Sequence, residues 1–140
     1  MNLSPNFTFD ELTRTATGLP NQPPWHVQLR LVLLAALLEE IRAVRGTPRS
    51  VRSGYRAPAV NKAVRGKPDS AHLRGEGADL PECDPEAYAH DLYAAWAAGR
   101  LPLLGKLIIE SDHVHVQVQT SNAPAVWLIE KGDDYPAWAP

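Results

Sequence analysis

The sequence predicts an α+β domain, with helices in its first half and a small, mostly antiparallel sheet in its second. Three features point there. A leucine stripe at helical spacing runs from Trp25 to Arg45, a polar–apolar alternation runs from His113 to Val118, and a second helix start at Asp84-Pro85 falls between them. Helices followed by strands, with one helix inserted, is the element order of α+β folds.

The chain of 140 residues carries a net charge of −2, with 44% hydrophobic and 21% charged residues. It is read as one domain over 1–140, its last residues, 131–140, forming a loose tail rich in proline and turn formers. A slightly acidic balance argues against a nucleic-acid or anionic-membrane partner. The arginines at 42, 45, 49, 52 and 56 are read as solvated charges near a helix end and a strand. Cys83 is the one cysteine, so neither an internal disulfide nor a four-cysteine metal site is available. The N-terminus shows no basic start and apolar core of a secretory signal, and the longest apolar run is too short to span a bilayer. The expected product is a soluble monomer made in the cytoplasm.

Each element has a local cause. Thr8-Phe9-Asp10-Glu11 is a capping box, with Phe7 and Leu12 placed as a hydrophobic staple, so a short helix is expected from Phe9 to about Ala16. The loop 18–24, rich in proline and glycine, ends it. Val27, Leu31, Leu34, Leu38 and Ile41 recur every three or four residues, and Leu33 and Leu37 widen the stripe, which predicts a central helix. Gly46 and Pro48 stop it. Ser50 to Gly54 reads as a short strand, and a helical turn is expected from Pro58 to Val64. Asp84 as N-cap and Pro85 at the first helical position start a helix that runs to about Ala98. Leu107 to Ile109, Val114 to Val118 and Ala125 to Ile129 read as strands. On the second of these, His113, His115 and Gln117 share one face and the valines the other.

The chemistry-bearing residues fall in two segments, Ser70 to Asp79 and Glu110 to His115. Gly75, Gly77 and Ala78 let the first segment fold back and bring His72 and Asp79 together. Zinc takes such nitrogen and oxygen donors, and catalytic sites keep one position open. The strand at 113–115 supplies a third donor. His26 and His90 lie in helical segments and are read as surface residues.

The sequence resembles the zinc peptidases of the D-alanyl-D-alanine carboxypeptidase and L-alanyl-D-glutamate endopeptidase family, with its hedgehog/DD-peptidase fold, and looks most like short phage and prophage members. Three motifs carry the resemblance: Ser53-Gly54-Tyr55-Arg56; Ser70, His72, Gly75, Ala78 and Asp79; and Asp112 with His115. The opening Leu3 to Phe7 with Glu11-Leu12 adds to it. The resemblance implies one zinc ion on His72, Asp79 and His115, with Asp112 as general base and Glu110 as the alternative. It implies Arg56 beside the substrate carbonyl or its developing oxyanion. Ser70 supports the site by hydrogen bonding, and with Tyr55 and His113 it borders the substrate. The implied substrate is a peptidoglycan stem peptide, cut after release through a membrane pore or from a virion. The competing expectation is a phage structural module that keeps the fold without cutting. Trp25, Trp96, Trp127 and Trp138 are candidate groove walls, with core packing the default.

Overall fold

The computed structural model describes residues 1–48 and 50–120, and the backbone of 127–130. The elements run α1 (Phe9–Thr13), α2 (Trp25–Arg45), α3 (Pro58–Ala63), a 3-10 turn (Ala71–Arg74), β1 (Gly77–Pro81), α4 (Pro85–Ala97), β2 (Leu104–Ile109), β3 (His113–Val118) and β4 (Trp127–Glu130). The strand order is β1-β3-β2-β4. β1 and β2 pair antiparallel with β3, and β4 joins β2 in parallel. This is the expected α+β class, consistent with a hedgehog/DD-peptidase-like fold.

α2 begins at Trp25 and ends at Arg45, where Gly46 closes it in a left-handed conformation (φ 69°) and donates its N–H to Arg42 O. Val27, Leu31, Leu34, Leu37, Leu38 and Ile41 are buried. Leu33 is not part of that stripe: it is 42% exposed, alongside Trp25, Leu29 and Val32. Each fully buried aliphatic side chain contributes about 1.5–3 kcal/mol, so this helix is a main source of stability. It shares one core with Tyr88, Leu92 and Ala95 of α4 and with Val114, Val116 and Val118 of β3. The strand's alternation therefore turns its valines to the helices and His113, His115 and Gln117 to the opposite face.

One expected element is shorter than predicted, and another does not form. α1 stops at Thr13, because Arg14 is extended and Asn21 Nδ2 takes the Thr13 carbonyl at 2.8 Å. Residues 50–54 do not form a strand. Only Ser53 bridges to Asp79, and the chain then leaves the sheet so that Tyr55 N donates to Leu12 O at 2.7 Å. A Cβ at Gly54 would collide with that same Leu12 oxygen, so the crossing needs glycine. The expected strand at 125–129 is met by β4 over Trp127 to Glu130. Residues 125 and 126, the tail from 131, Arg49, and the side chains of Trp127 and Trp138 lie outside the described residues. Among the described residues, no helix is long and apolar enough to cross a membrane.

Candidate metal centre

β1 was not anticipated as a strand, yet it creates the site. Its residues alternate: Ala78 and Leu80 are buried in the core, and Asp79 faces the other way. In the β1–β3 register, Asp79 is the Cα partner of His115. The 3-10 turn just before β1 delivers His72. Ser70 caps that turn, its Oγ accepting from His72 N at 3.2 Å. Gly75 (φ 70°) closes it, and a Cβ there would press on Val27 at 2.8 Å.

These three side chains meet. His72, Asp79 and His115 are 3%, 6% and 7% exposed, and one donor atom from each lies within 4.8 Å of the others. His72 Nε2 stands 3.2 Å and His115 Nδ1 3.0 Å from the same oxygen, Asp79 Oδ1. Donors arranged tetrahedrally about zinc at 2.0–2.2 Å stand roughly 3.3–3.6 Å apart.

His72 Nδ1 lies 2.6 Å from Gly54 O. A carbonyl only accepts, so the proton is on Nδ1 and neutral His72 presents a lone pair at Nε2. His115 Nε2 lies 3.1 Å from Gln117 Oε1, which leaves Nδ1 as its lone pair. Two imidazole lone pairs and a carboxylate oxygen thus converge in a buried space, an arrangement able to hold a cation between them. The residues fit a divalent ion such as zinc.

The titration behaviour follows. Burial pushes the His72 pKa down, against the opposing pull of Asp79. Burial alone would raise the Asp79 carboxyl, but the His115 and His72 rings beside it outweigh that and hold the group well below the usual carboxylate range.

A layer of partners holds the donors. Arg56 Nη2 donates to Asp79 Oδ2 at 3.0 Å, which leaves Oδ1 to the centre. Its Nε donates to Ser53 Oγ at 3.0 Å, and its Nη1 faces Asn61 Oδ1 at 3.4 Å. The resemblance places Arg56 at the substrate carbonyl, and in the structure each of its three guanidinium nitrogens also has a partner within the protein. Asn61, which the sequence reading passed over, is 4% exposed and donates to Lys67 O. A Cβ at Gly77 would stand 2.7 Å from His115 Cε1, so this glycine makes room for the ring. Tyr55, expected to border the substrate, is 3% exposed and belongs to the hydrophobic core. Its burial raises the phenol pKa.

Asp112 lies in the β2–β3 turn and is exposed. Its Oδ1 is 2.7 Å from His113 Nδ1, and its Oδ2 accepts from Arg52 Nη1 at 2.9 Å. These two partners, His113 first, hold the carboxyl below its ordinary range. His113 is half-buried, and its Nε2 stands 3.6 Å from Asp79 Oδ1. Ser70, His72, Asp79, His113 and His115 are therefore brought together, with Arg56 behind Asp79 and Asp112 behind His113.

A small α+β domain holding a buried His-Asp-His set able to bind a metal is the class that fold and site define. The family model described as peptidase M15 matches residues 5–117, and the chain belongs to this family of zinc peptidases. No curated protein matches the chain.

Proposed function

We propose that the protein is a zinc-dependent peptidoglycan hydrolase that cuts a peptide bond of the stem peptide, either as an L-alanyl-D-glutamate endopeptidase or as a D-alanyl-D-alanine carboxypeptidase. The observation that carries the reading is the convergence of two imidazole lone pairs and one carboxylate oxygen in a chain of the M15 peptidase family. A zinc ion held by His72, Asp79 and His115 would lower the pKa of a water and polarise the scissile carbonyl. The protein's own residues do the rest. Arg56 fixes Asp79 through the oxygen turned away from the centre. Gly54 O and Gln117 Oε1 set which nitrogen of each histidine faces inward, as ligand histidines generally require. The proton given up by the attacking water is assigned to the Asp112 side of the site, with Glu110 as the alternative acceptor.

The test is metal analysis of the purified chain, followed by digestion of defined muropeptides and mass spectrometry of the products. The expected result is one zinc per chain and release of one bond type, whose mass identifies the activity. Bound zinc without cleavage of any stem-peptide bond would instead favour a non-cutting structural module. A chain that takes up no zinc would remove the basis of the proposal.

A further inference from the structure

His113 repeats the pattern of the two histidines that face the centre. His72 gives one ring nitrogen to Gly54 O and turns the other to Asp79 Oδ1. His115 gives one to Gln117 Oε1 and turns the other to the same oxygen. His113 gives Nδ1 to Asp112 Oδ1 at 2.7 Å and turns Nε2 to that oxygen as well, at 3.6 Å. Yet His113 is not in the set whose donor atoms all lie within 4.8 Å of one another. It faces the same carboxylate oxygen from outside that set.

A ring nitrogen that faces the centre without joining the donor set can hydrogen-bond to a small molecule lodged between it and the donors. The His113 Nδ1–H bonds to a carboxylate, which leaves Nε2 as an acceptor, and the molecule that must sit there in hydrolysis is water. We propose that His113 Nε2 accepts a hydrogen bond from the attacking water and that Asp112, itself braced by Arg52, is the positioning residue that fixes the His113 ring. This rests on the hydrolase reading above and refines it: the atom that meets the water belongs to His113, and Asp112 acts through it. The strand explains the division of labour. His113 shares the sheet face of His115, whereas Asp112 sits in the turn and reaches round to the far side of the ring.

The test uses the zinc-loaded full-length chain. Long-range nitrogen–proton NMR correlations report which nitrogen of each histidine carries a proton or the metal. The expected result is metal on His72 Nε2 and His115 Nδ1, with His113 protonated at Nδ1 and bare at Nε2. Metal on His113 Nε2, or a proton there, would overturn the inference while leaving the hydrolase reading intact. Absence of bound zinc would sink both. Kinetics give a second arm. His113→Asn keeps a donor for Asp112 but has no distal nitrogen, so its kcat should fall about 100-fold, the scale of a misplaced reactant, with zinc content unchanged. Asp112→Ala should fall similarly, and the double variant no further than the worse single. Full activity in His113→Asn, or multiplicative losses in the double variant, would show that His113 does not meet the water.

Discussion

Asp79 and His115 are Cα partners across β1 and β3, and Asp79 Oδ1 lies 3.0 Å from His115 Nδ1. Sheet register alone therefore places two of the three candidate donors side by side. A slip of one residue would turn Asp79 into the core and Leu80 onto the site face. The buried Ala78 and Leu80 on either side are what forbid it.

The space for the His115 ring is made by Gly77. Gly77→Ala would put a methyl group 2.7 Å from His115 Cε1 and 3.1 Å from its Nε2. The ring must turn, and its bond to Gln117 is lost with it. Zinc affinity should fall about 10- to 100-fold, the usual effect of disturbing a ligand's support. A chelator competition titration reads this, with circular dichroism as the check on folding. Unchanged affinity would mean that the ring adapts.

The metal-free protein should lose stability in acid through Asp79. Its carboxyl is held below the ordinary value, so its contribution is complete above the ordinary range near 4 and disappears as pH falls below that, towards the depressed folded value. Asp79→Asn should flatten this acid limb. It should also cost about 3–5 kcal/mol at neutral pH, because Arg56 is left half-buried without its partner. Urea unfolding at a series of pH values measures both effects. An acid limb identical to the wild type would place the responsible carboxylate elsewhere.

Zinc must displace whatever proton the imidazoles hold, so affinity should rise with pH through the histidine range. Because burial pushes the His72 pKa down, its share of the proton release belongs below the ordinary histidine value of about 6.5. Calorimetry in buffers of different ionisation enthalpy counts the protons released. Binding that is independent of pH from 5 to 8, a window spanning roughly the histidine titration, would contradict histidine ligation.

Neighbouring leucines of α2 should behave differently. Leu34 is fully buried and Leu33 is 42% exposed. Leu34→Ala should destabilise by about 2–5 kcal/mol, and Leu33→Ala by less than about 1 kcal/mol. Denaturant midpoints separate the two, and equal losses would mean that Leu33 is covered in solution.

The contrast between those leucines shows what the sequence can and cannot disclose. The stripe at 27, 31, 34, 38 and 41 was legible because a helix with one buried face enforces its spacing. Leu33 was misread because hydrophobicity does not say where the stripe's edge falls. The alternation in 113–118 was legible for the analogous reason in a strand. β1 was not, since Gly77-Ala78-Asp79-Leu80-Pro81 is too short and too rich in poor strand formers to announce itself. Its pairing comes from β3 and from the bridge to Ser53. His72, Asp79 and His115 can be picked out as one set through the family resemblance, whose motifs contain the donors themselves. The link from Arg56 to Asp79 is not legible, because a guanidinium reads the same in sequence whether it faces a substrate or a protein carboxylate. The same holds for Asn61, whose value lies wholly in what it is packed against.

The stretch from Arg52 to Arg56 has an effect that reaches beyond geometry. Arg52 N donates to Asp79 O and Ser53 O accepts from Asp79 N. Gly54 O holds the His72 ring, and Arg56 N donates to His72 O. Two of the three donors are thus tethered to one five-residue piece of chain, and the third arrives on a hairpin synthesised some sixty residues afterwards, from 113 to 118. A ribosome-bound fragment, or a chain still collapsing, has no cradle in which to trap an ion. The three-donor set closes only when the strand from 113 to 118 pairs with β1.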